Sequence, residues 1–162
     1  MADRRDPTTL PGRPCAVASS LELIGDRWSI LVLREVMFGN HRFSQIARNT
    51  GAPRDRLTVR LKGLMEAGVL ERRPTEESDR YEGYHLTEAG EELRPVVRAL
   101  LAWGDKWAVT TPPLRLVHHD HALVARTYCV TCGDDVEEAD LTQEMLTPGW
   151  DLGGRLAAAG KG

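Results

Sequence analysis

The sequence has 162 residues, of which 41% are apolar, and a formal net charge of −3 at pH 7. This length suits about one domain, since domains commonly hold roughly 100–200 residues, and the apolar share argues against a chain that is disordered throughout. No apolar run is long enough to span a membrane and no signal-peptide pattern is present, so we expect a cytoplasmic protein without a membrane partner. Three cysteines are too few for a secreted disulfide framework.

The charge is unevenly distributed along the chain. Between Arg27 and Lys62 there are eight Arg and Lys residues, opposed only by Glu35 and Asp55. After Pro113 the balance reverses, with four basic residues against eight acidic ones. A local positive surface attracts phosphate whatever the overall charge, so the first half of the chain permits nucleic-acid binding without establishing it.

The first half reads as an arm followed by helices. Residues 1–14 are polar and rich in Arg, Asp and Pro, which is typical of a flexible arm. Apolar spacing then predicts helices over Cys15–Ile24, Trp28–Phe38 and Phe43–Arg48, the second apolar nearly all round and therefore buried. Pro53 suits the first turn of a fourth helix, in which Leu57, Leu61, Leu64 and Met65 form one stripe.

A hairpin and a long helix are predicted next. Val69–Arg73 and Tyr81–Leu86 have strand character and flank a polar turn. Thr87 is a plausible N-cap for a helix that runs to about Ala108, with Pro95 predicting a kink in its early part. The fold class is therefore mainly α with a small β-hairpin wing (α+β): a winged helix-turn-helix over residues 15–109, then a short C-terminal extension, 110–162, whose end we expect to be disordered.

Several short motifs occur along these elements and, taken as a set, are typical of one protein family. They are Cys15-Ala-Val-Ala, Leu23-Ile-Gly-Asp-Arg-Trp28-Ser-Ile-Leu, Gly39-Asn-His-Arg-Phe43-Ser-Gln-Ile, Leu57-Thr-Val-Arg-Leu61, Glu66-Ala-Gly-Val-Leu-Glu-Arg-Arg73, Tyr84-His-Leu-Thr-Glu-Ala-Gly90 and Trp103-Gly-Asp-Lys-Trp107. In order and spacing, over roughly 15–107, they resemble the HxlR family of bacterial regulators. The resemblance implies a homodimer built from the first and last helices, a near-palindromic operator in double-stranded DNA, and control of a neighbouring gene, usually by repression. No cofactor is required for DNA binding.

The fourth helix is the expected recognition helix, because its apolar stripe leaves a polar face for the major groove. We expect one set of side chains near base edges: Arg54, Asp55, Thr58 and Val59. A second set is expected near phosphates: Arg56, Arg60 and Lys62, with Arg42 and Ser44 at the start of the preceding helix. Arg80, at the end of the wing, is a candidate for the minor groove or the DNA backbone. The alternative is that these charges form an ordinary solvated face.

Four apolar residues are candidates for the dimer interface: Leu21, Leu100, Trp103 and Trp107. The two tryptophans are either core residues or interface anchors, and a long amphipathic helix at the end of a small domain favours the interface. A small-molecule effector, bound between the domain and the dimer helices, is a further candidate partner. The apolar residues expected to be buried there are generic and identify no ligand: Leu21, Trp28, Leu31, Leu100 and Trp103.

The cysteines leave alternatives open. Cys129 and Cys132, two residues apart before Gly133, can present both sulfurs to one metal, and His118 and His121 would complete a set of four zinc ligands. The alternatives are ordinary reduced thiols and a redox-active dithiol. The resemblance implies that Cys15 is a candidate oxidant sensor, whereas the plainer interpretation is a small residue half-buried near the first helix.

We expect no enzyme, because no nucleophile–base pair, phosphate loop or paired-carboxylate site is recognisable. Two alternatives to a DNA-binding regulator remain. One is a thiol- or metal-dependent oxidoreductase that uses Cys129 and Cys132, although the thioredoxin-like βαβ context is missing. The other is a winged helix that binds proteins, against which the basic stretch argues.

Overall fold

The helix that is apolar nearly all round lies at the centre of the fold. The computed structural model describes residues 6–75 and 78–156, except the side chains of 78–81. In it this helix, α2, spans Arg27–Met37, and Val32 and Leu33 are fully buried. It begins at Asp26, whose carboxylate accepts hydrogen bonds from the backbone N–H groups of Trp28 (2.9 Å) and Ser29 (3.2 Å). The cap satisfies donors that have no partner within the helix.

Three further helices complete the first half of the domain. α1 spans Ala16–Ile24, α3 spans Phe43–Thr50 and α4 spans Arg54–Glu66, with a short 3-10 helix at Pro7–Thr9 before them. Both α3 and α4 pack against α2. The buried apolar residues of the core come from all four helices, the segments that connect them and the hairpin: Ile24, Val32, Leu33, Val36, Ile46, Ala52, Leu57, Leu61, Leu64, Val69, Leu70 and Leu86.

The predicted hairpin is present and longer than its apolar residues indicate. β1 (Leu70–Thr75) pairs with β2 (Ser78–Leu86) in an antiparallel sheet, from Leu70 opposite Leu86 to Pro74 opposite Glu82, with a shift of register between Pro74 and Thr75. The strands continue into the polar segment because pairing supplies partners for their backbone N–H and C=O groups. The fold class is confirmed: a mainly helical winged helix-turn-helix with a small two-stranded wing.

The single long helix predicted after Thr87 is wrong, because two helices are present. α5 spans Glu88–Glu91 and α6 spans Arg94–Trp107, and the Thr87 side chain caps α5 as expected. At the junction the N–H of Leu93 bonds to the carbonyl of Gly90 (3.1 Å), three residues back rather than four. Pro95 has no N–H to bond four residues back, so it separates the helices and lies in the first turn of α6, where no donor is needed.

The single chain does not bury the apolar residues expected beside an effector. Leu21, Leu100 and Trp103 are exposed, and Trp28 and Leu31 are half-buried. None of the side chains of α6 is buried. The helix projects an apolar stripe outward because its large residues recur at intervals of three and four.

The chain divides into two compact units, Met1–Trp107 and Ala108–Gly162. The second unit has a short antiparallel pair, β3 (Val117–His118) with β4 (His121–Ala122), and a 3-10 helix at Glu138–Asp140. Single bridges join Tyr128 to Asp135 and Trp150 to Arg155. Within 108–156, the described part of this unit, no residue is buried. Across the described residues, no helix is long and apolar enough to cross a membrane.

Two glycine substitutions should change stability in opposite directions. A Cβ at Gly90 would lie 2.3 Å from the carbonyl oxygen of Val69, so we expect Gly90→Ala to lower the free energy of unfolding by about 1–3 kcal/mol. For Gly63, inside α4, no described atom beyond the neighbouring residues and backbone of the same helix lies within 4 Å of such a Cβ, so Gly63→Ala should raise stability by up to about 1 kcal/mol. Urea unfolding followed by circular dichroism measures both. Equal stability of the two variants would contradict the packing at Gly90.

Candidate nucleic-acid interface

The turn between α3 and α4 is held by local hydrogen bonds. The hydroxyl of Thr50 donates to the carbonyl of Ile46 (2.7 Å) and accepts from the N–H of Ala52 (3.2 Å). Gly51 ends α3 in the left-handed region (φ 69°), which glycine adopts without steric cost. Pro53 then occupies the N-cap of α4. The two helices are therefore set at a defined turn, as a helix-turn-helix requires.

The helix α4 divides cleanly into a buried and an exposed side. Leu57, Leu61 and Leu64 are buried in the core. The exposed side carries five of the residues expected at bases or phosphates: Arg54, Asp55, Arg56, Thr58 and Val59. Val59 is 59% exposed, although it is apolar. An exposed valine among polar groups is suited to contact with a thymine methyl group in the major groove.

Two of these residues are oriented by contacts within the protein. The guanidinium of Arg54 lies over the ring of Phe43 at 5.0 Å from the centroid, and Phe43 opens α3. The hydroxyl of Thr58 donates to the backbone carbonyl of Arg54 (2.8 Å). A cation held over an aromatic face loses less rotamer freedom on binding than a free side chain, because part of its ordering already exists in the free protein.

The two basic residues nearer the end of α4 have acidic partners in the free protein. Nε of Arg60 lies 3.2 Å from the carboxylate of Asp26, the residue that caps α2, so Arg60 links α4 to the start of α2. Nζ of Lys62 lies 3.5 Å from the carboxylate of Glu66, and both side chains are exposed. An exposed ion pair contributes little, so Lys62 can exchange Glu66 for a phosphate at low cost. Arg60 is less available than the sequence indicates.

The remaining expected contacts lie at the start of α3 and on the wing. Arg42 is the N-cap residue of α3 and is exposed, as is Ser44 one residue into the helix. The backbone N–H of Arg42 donates to the side-chain oxygen of Gln45 (3.0 Å), which fixes the entry to the helix. Arg80 belongs to β2 by its backbone, and its side chain lies outside the described residues.

A histidine pair that sequence reasoning missed fixes the wing to the helix-turn-helix. His41, before α3, stacks on the buried His85 of β2 with ring centroids 4.1 Å apart and planes at 16°. Nδ1 of His41 donates to the carbonyl of Tyr84 (2.8 Å), and the N–H of Tyr84 donates to the carbonyl of His41 (2.9 Å). Since a carbonyl only accepts, the His41 proton resides on Nδ1. The residues are far apart along the chain, so no local pattern reveals the contact.

A buried carboxylate was also missed. Glu35 in α2 is 4% exposed. It accepts hydrogen bonds from Arg34, from Nδ2 of Asn40 (2.7 Å) and from Nδ2 of Asn49 in α3 (2.8 Å). These bonds connect α2, the following loop and the end of α3. In the sequence Glu35 is only an acidic residue within a basic stretch, and nothing nearby marks it as buried.

The candidate dimer residues all lie on exposed surface of the single chain. Trp103 and Trp107 are 61% and 66% exposed, and Leu21 of α1 and Leu100 of α6 are also exposed. The tryptophans are therefore not core residues of the single chain. With Val96, also exposed, the large apolar residues of α6 recur at i, i+4, i+7 and i+11, which places them on one line along the helix. We call the stripe Val96, Leu100, Trp103 and Trp107 the α6 stripe.

The structure does not support the four-ligand zinc site. The rings of His118 and His119 are 4.1 Å apart, those of His118 and His121 5.7 Å, and Nδ1 of His121 donates to the carbonyl of Ala122. Within 6–75 and 78–156, no group of three or more His, Cys, Asp or Glu side chains is placed to hold a metal ion. Cys15 is a half-buried free thiol at the N-cap of α1, and Cys129 and Cys132 are also free.

This chain is similar in sequence to known proteins. The pattern of the HxlR-like helix-turn-helix family matches residues 23–112, more than half of the chain. The chain belongs to the HxlR family. The uncharacterized HTH-type transcriptional regulator Rv3095 of Mycobacterium tuberculosis is 39% identical over 149 residues, which cover 89% of this chain and 92% of that protein. HTH-type transcriptional regulator YodB of Bacillus subtilis is 32% identical over 90 residues, 55% of this chain and 80% of YodB.

Two solved structures also resemble this chain. PA1607, described as a transcription factor, superposes with a TM-score of 0.70 at 30% identity, over 80% of this chain and 94% of PA1607. The redox regulator HypR in its reduced form gives a TM-score of 0.50 at 26% identity, over 57% of this chain and 92% of HypR. This chain is a transcriptional regulator with a helix-turn-helix domain and not an enzyme, because its relatives and the solved structures that it resembles are transcription regulators.

Proposed function

We propose that this HxlR-family regulator is a sequence-specific DNA-binding protein of the cytoplasm that acts as a homodimer on a near-palindromic operator and represses a neighbouring gene. One observation carries the proposal: α4 buries a leucine stripe and exposes Arg54, Arg56 and Val59 on the other side of the same helix. A helix of this kind, following a tight turn, is the element that enters the major groove in helix-turn-helix proteins.

The exposed α6 stripe supports the homodimer. Four large apolar side chains in one line, with Leu21 on α1 also exposed, are unusual on a monomer and typical of an interface. Two-fold symmetry would present two copies of α4 to the DNA, so the operator would contain two half-sites in opposite orientation. We propose that residues 15–109 form the DNA-binding and dimerisation domain and that residues 110–162 form a separate extension.

Two signals are candidates for controlling DNA binding: redox state and a small apolar effector. Similarity to the redox regulator HypR supports a response to redox state, with Cys15 as one candidate thiol because it immediately precedes α1, a helix of the proposed dimer interface. A small apolar effector is the other candidate signal. The half-buried residues Trp28 and Leu31 of α2 would contribute to its site once a second subunit covers the exposed apolar residues.

A pair of arginine variants tests the contact between α4 and DNA. We expect Arg54→Ala, at a base edge, to weaken operator binding by about 1–3 kcal/mol and to reduce the preference over random DNA. Arg56→Ala, at a phosphate, should weaken binding to all sequences and lower the slope of log affinity against log salt by about 0.9. Fluorescence anisotropy with DNA from upstream of the gene, over a range of salt concentrations, measures both effects.

Arg98→Ala is the matched control, since Arg98 is an exposed arginine on α6, outside the α6 stripe. It removes the same charge and should leave affinity and slope nearly unchanged. If Arg98→Ala weakened binding as much as the α4 variants did, the loss of affinity would follow from the change in net charge, and α4 would not be the recognition helix. If the wild type showed no preference for any DNA sequence and the α4 variants lost a protein partner, the fold would serve protein contacts instead.

A further inference from the structure

The second unit carries a cysteine pair that DNA binding does not use. Cys129 and Cys132 lie in a tight turn, where the N–H of Cys129 donates to the carbonyl of Asp134 (2.9 Å) and the N–H of Gly133 donates to the carbonyl of Cys129 (2.9 Å). Tyr128 bridges to Asp135 on either side of the turn, and Gly133 adopts a left-handed conformation (φ 85°). The backbone therefore folds back on itself and keeps both cysteines at the tip.

The turn also surrounds the Cys129 sulfur with hydrogen-bond donors. The sulfur of Cys129 accepts hydrogen bonds from the backbone N–H of Cys132, from the Cys132 thiol and from the backbone N–H and hydroxyl of Thr131. These donors favour the thiolate and hold the pKa of the Cys129 thiol below its ordinary value. Cys132 is exposed to solvent and Cys129 is half-buried, so dissolved reagents can reach the pair.

We propose that Cys129 and Cys132 are a redox-active dithiol, which a small-molecule disulfide converts to an intramolecular disulfide. The Cys129 thiolate attacks one sulfur of the reagent, whose S–S bond breaks and releases one thiolate with the bonding electron pair. Cys132 then gives its proton to the released thiolate and attacks the Cys129 sulfur, and the second half of the reagent leaves as a thiolate that takes a proton from water. The dithiol loses two electrons and the reagent is reduced to two thiols.

Other roles for the pair fit the structure less well. A structural zinc site needs four ligands, and no third His, Cys, Asp or Glu in the described ranges is placed to join the two cysteines. A purely structural thiol is usually buried and inert, whereas Cys132 is exposed. The inference does not depend on the proposed function, because it concerns thiol chemistry in residues 108–162 and not the contacts of α4 or α6.

The experiment uses the full-length protein equilibrated in buffers of increasing glutathione disulfide over glutathione, followed by alkylation, trypsin digestion and mass spectrometry. Arg126 and Arg155 are successive cleavage sites, so one peptide contains Cys129 and Cys132 without Cys15. We expect both cysteines to become resistant to alkylation together. The resulting peptide should be two hydrogens lighter than the same peptide in its reduced, unalkylated form. Cys132→Ser should instead retain one glutathione on Cys129, and Cys15→Ser should behave like the wild type.

Three results would overturn the proposal. The first is a peptide that stays fully alkylated even in the most oxidising buffer. The second is addition of glutathione to both cysteines with no internal link. The third is a zinc ion that copurifies with the protein and protects both thiols from alkylation, measured by native mass spectrometry. Because each readout is made on the wild type, none depends on a variant that fails to fold, and none tests DNA binding.

Discussion

Trp103→Asp is expected to keep this chain monomeric, by abolishing the proposed homodimer, while leaving the fold of the subunit intact. Trp103 is 61% exposed within the α6 stripe, so the change removes no core contact of the single chain. Large aromatic anchors at the centre of an interface cost about 2–4 kcal/mol or more when truncated, and aspartate adds a charge that the interface would have to desolvate. A loss of about 4 kcal/mol weakens self-association roughly a thousandfold.

Sedimentation velocity over a concentration series measures this loss, and circular dichroism checks the fold. Val59→Asp provides a matched control, because Val59 is also an exposed apolar residue (59%) but lies on α4. We expect Val59→Asp to stay dimeric and to bind the operator poorly, since its new charge would face the DNA. A Trp103→Asp protein that remained dimeric would exclude the α6 stripe as the interface.

Glu35→Ala should have the largest effect on stability among single polar substitutions, about 3 kcal/mol. The carboxylate of Glu35 is buried and accepts hydrogen bonds from Nε and Nη2 of Arg34 (3.0 and 2.6 Å) and from Asn40 and Asn49. Removing it leaves these donors without their acceptor, and breaking a buried charged network typically costs about 3–5 kcal/mol. We expect a cost at the lower end of this range because the Arg34 side chain is 31% exposed and can form hydrogen bonds with water in place of Glu35.

Urea unfolding gives the free-energy change, with Glu66→Ala as the control. Glu66 is also a helical glutamate in an ion pair, with Lys62, but both partners are exposed. Its removal should change stability by less than about 0.5 kcal/mol. Glu35→Gln, which keeps one acceptor oxygen, should fall between the two alanine variants. If Glu35→Ala and Glu66→Ala unfolded at the same urea concentration, the network around Glu35 would be of little energetic importance.

Local periodicity made most of the first unit predictable. The spacing of Leu57, Leu61 and Leu64 alone indicates which side of α4 is buried, and the structure has that side in the core. The turn at Gly51 and the cap at Thr87 likewise depend on residues close together in the chain. The prediction of one continuous helix after Thr87 failed, because apolar spacing continues through residues 92–93 and does not represent the backbone hydrogen bonds that are interrupted beside Pro95.

Interactions between distant residues were beyond the reach of such patterns. Arg60 looks like a free phosphate contact in the sequence, yet it forms an ion pair with Asp26, the N-cap residue of α2. Which of two exposed-looking arginines is paired is decided by the tertiary fold and not by local sequence. The exposure of Trp103 is a similar case: an amphipathic pattern shows that a side is apolar, but not whether the same chain covers it.

The separation of α4 into a buried and an exposed side also affects how the DNA preferences of related regulators can diverge. Stability depends on its buried leucines, whereas Asp55, Arg56 and Val59 face outward and contribute no described contact to the core. Exposed positions without such contacts tolerate substitution with little effect on stability. A lineage can therefore acquire a new DNA sequence preference by exchanging these side chains while the scaffold stays the same. By contrast, Asp26 also caps α2 through the N–H groups of Trp28 and Ser29, so its loss should lower stability whichever side chain occupies position 60.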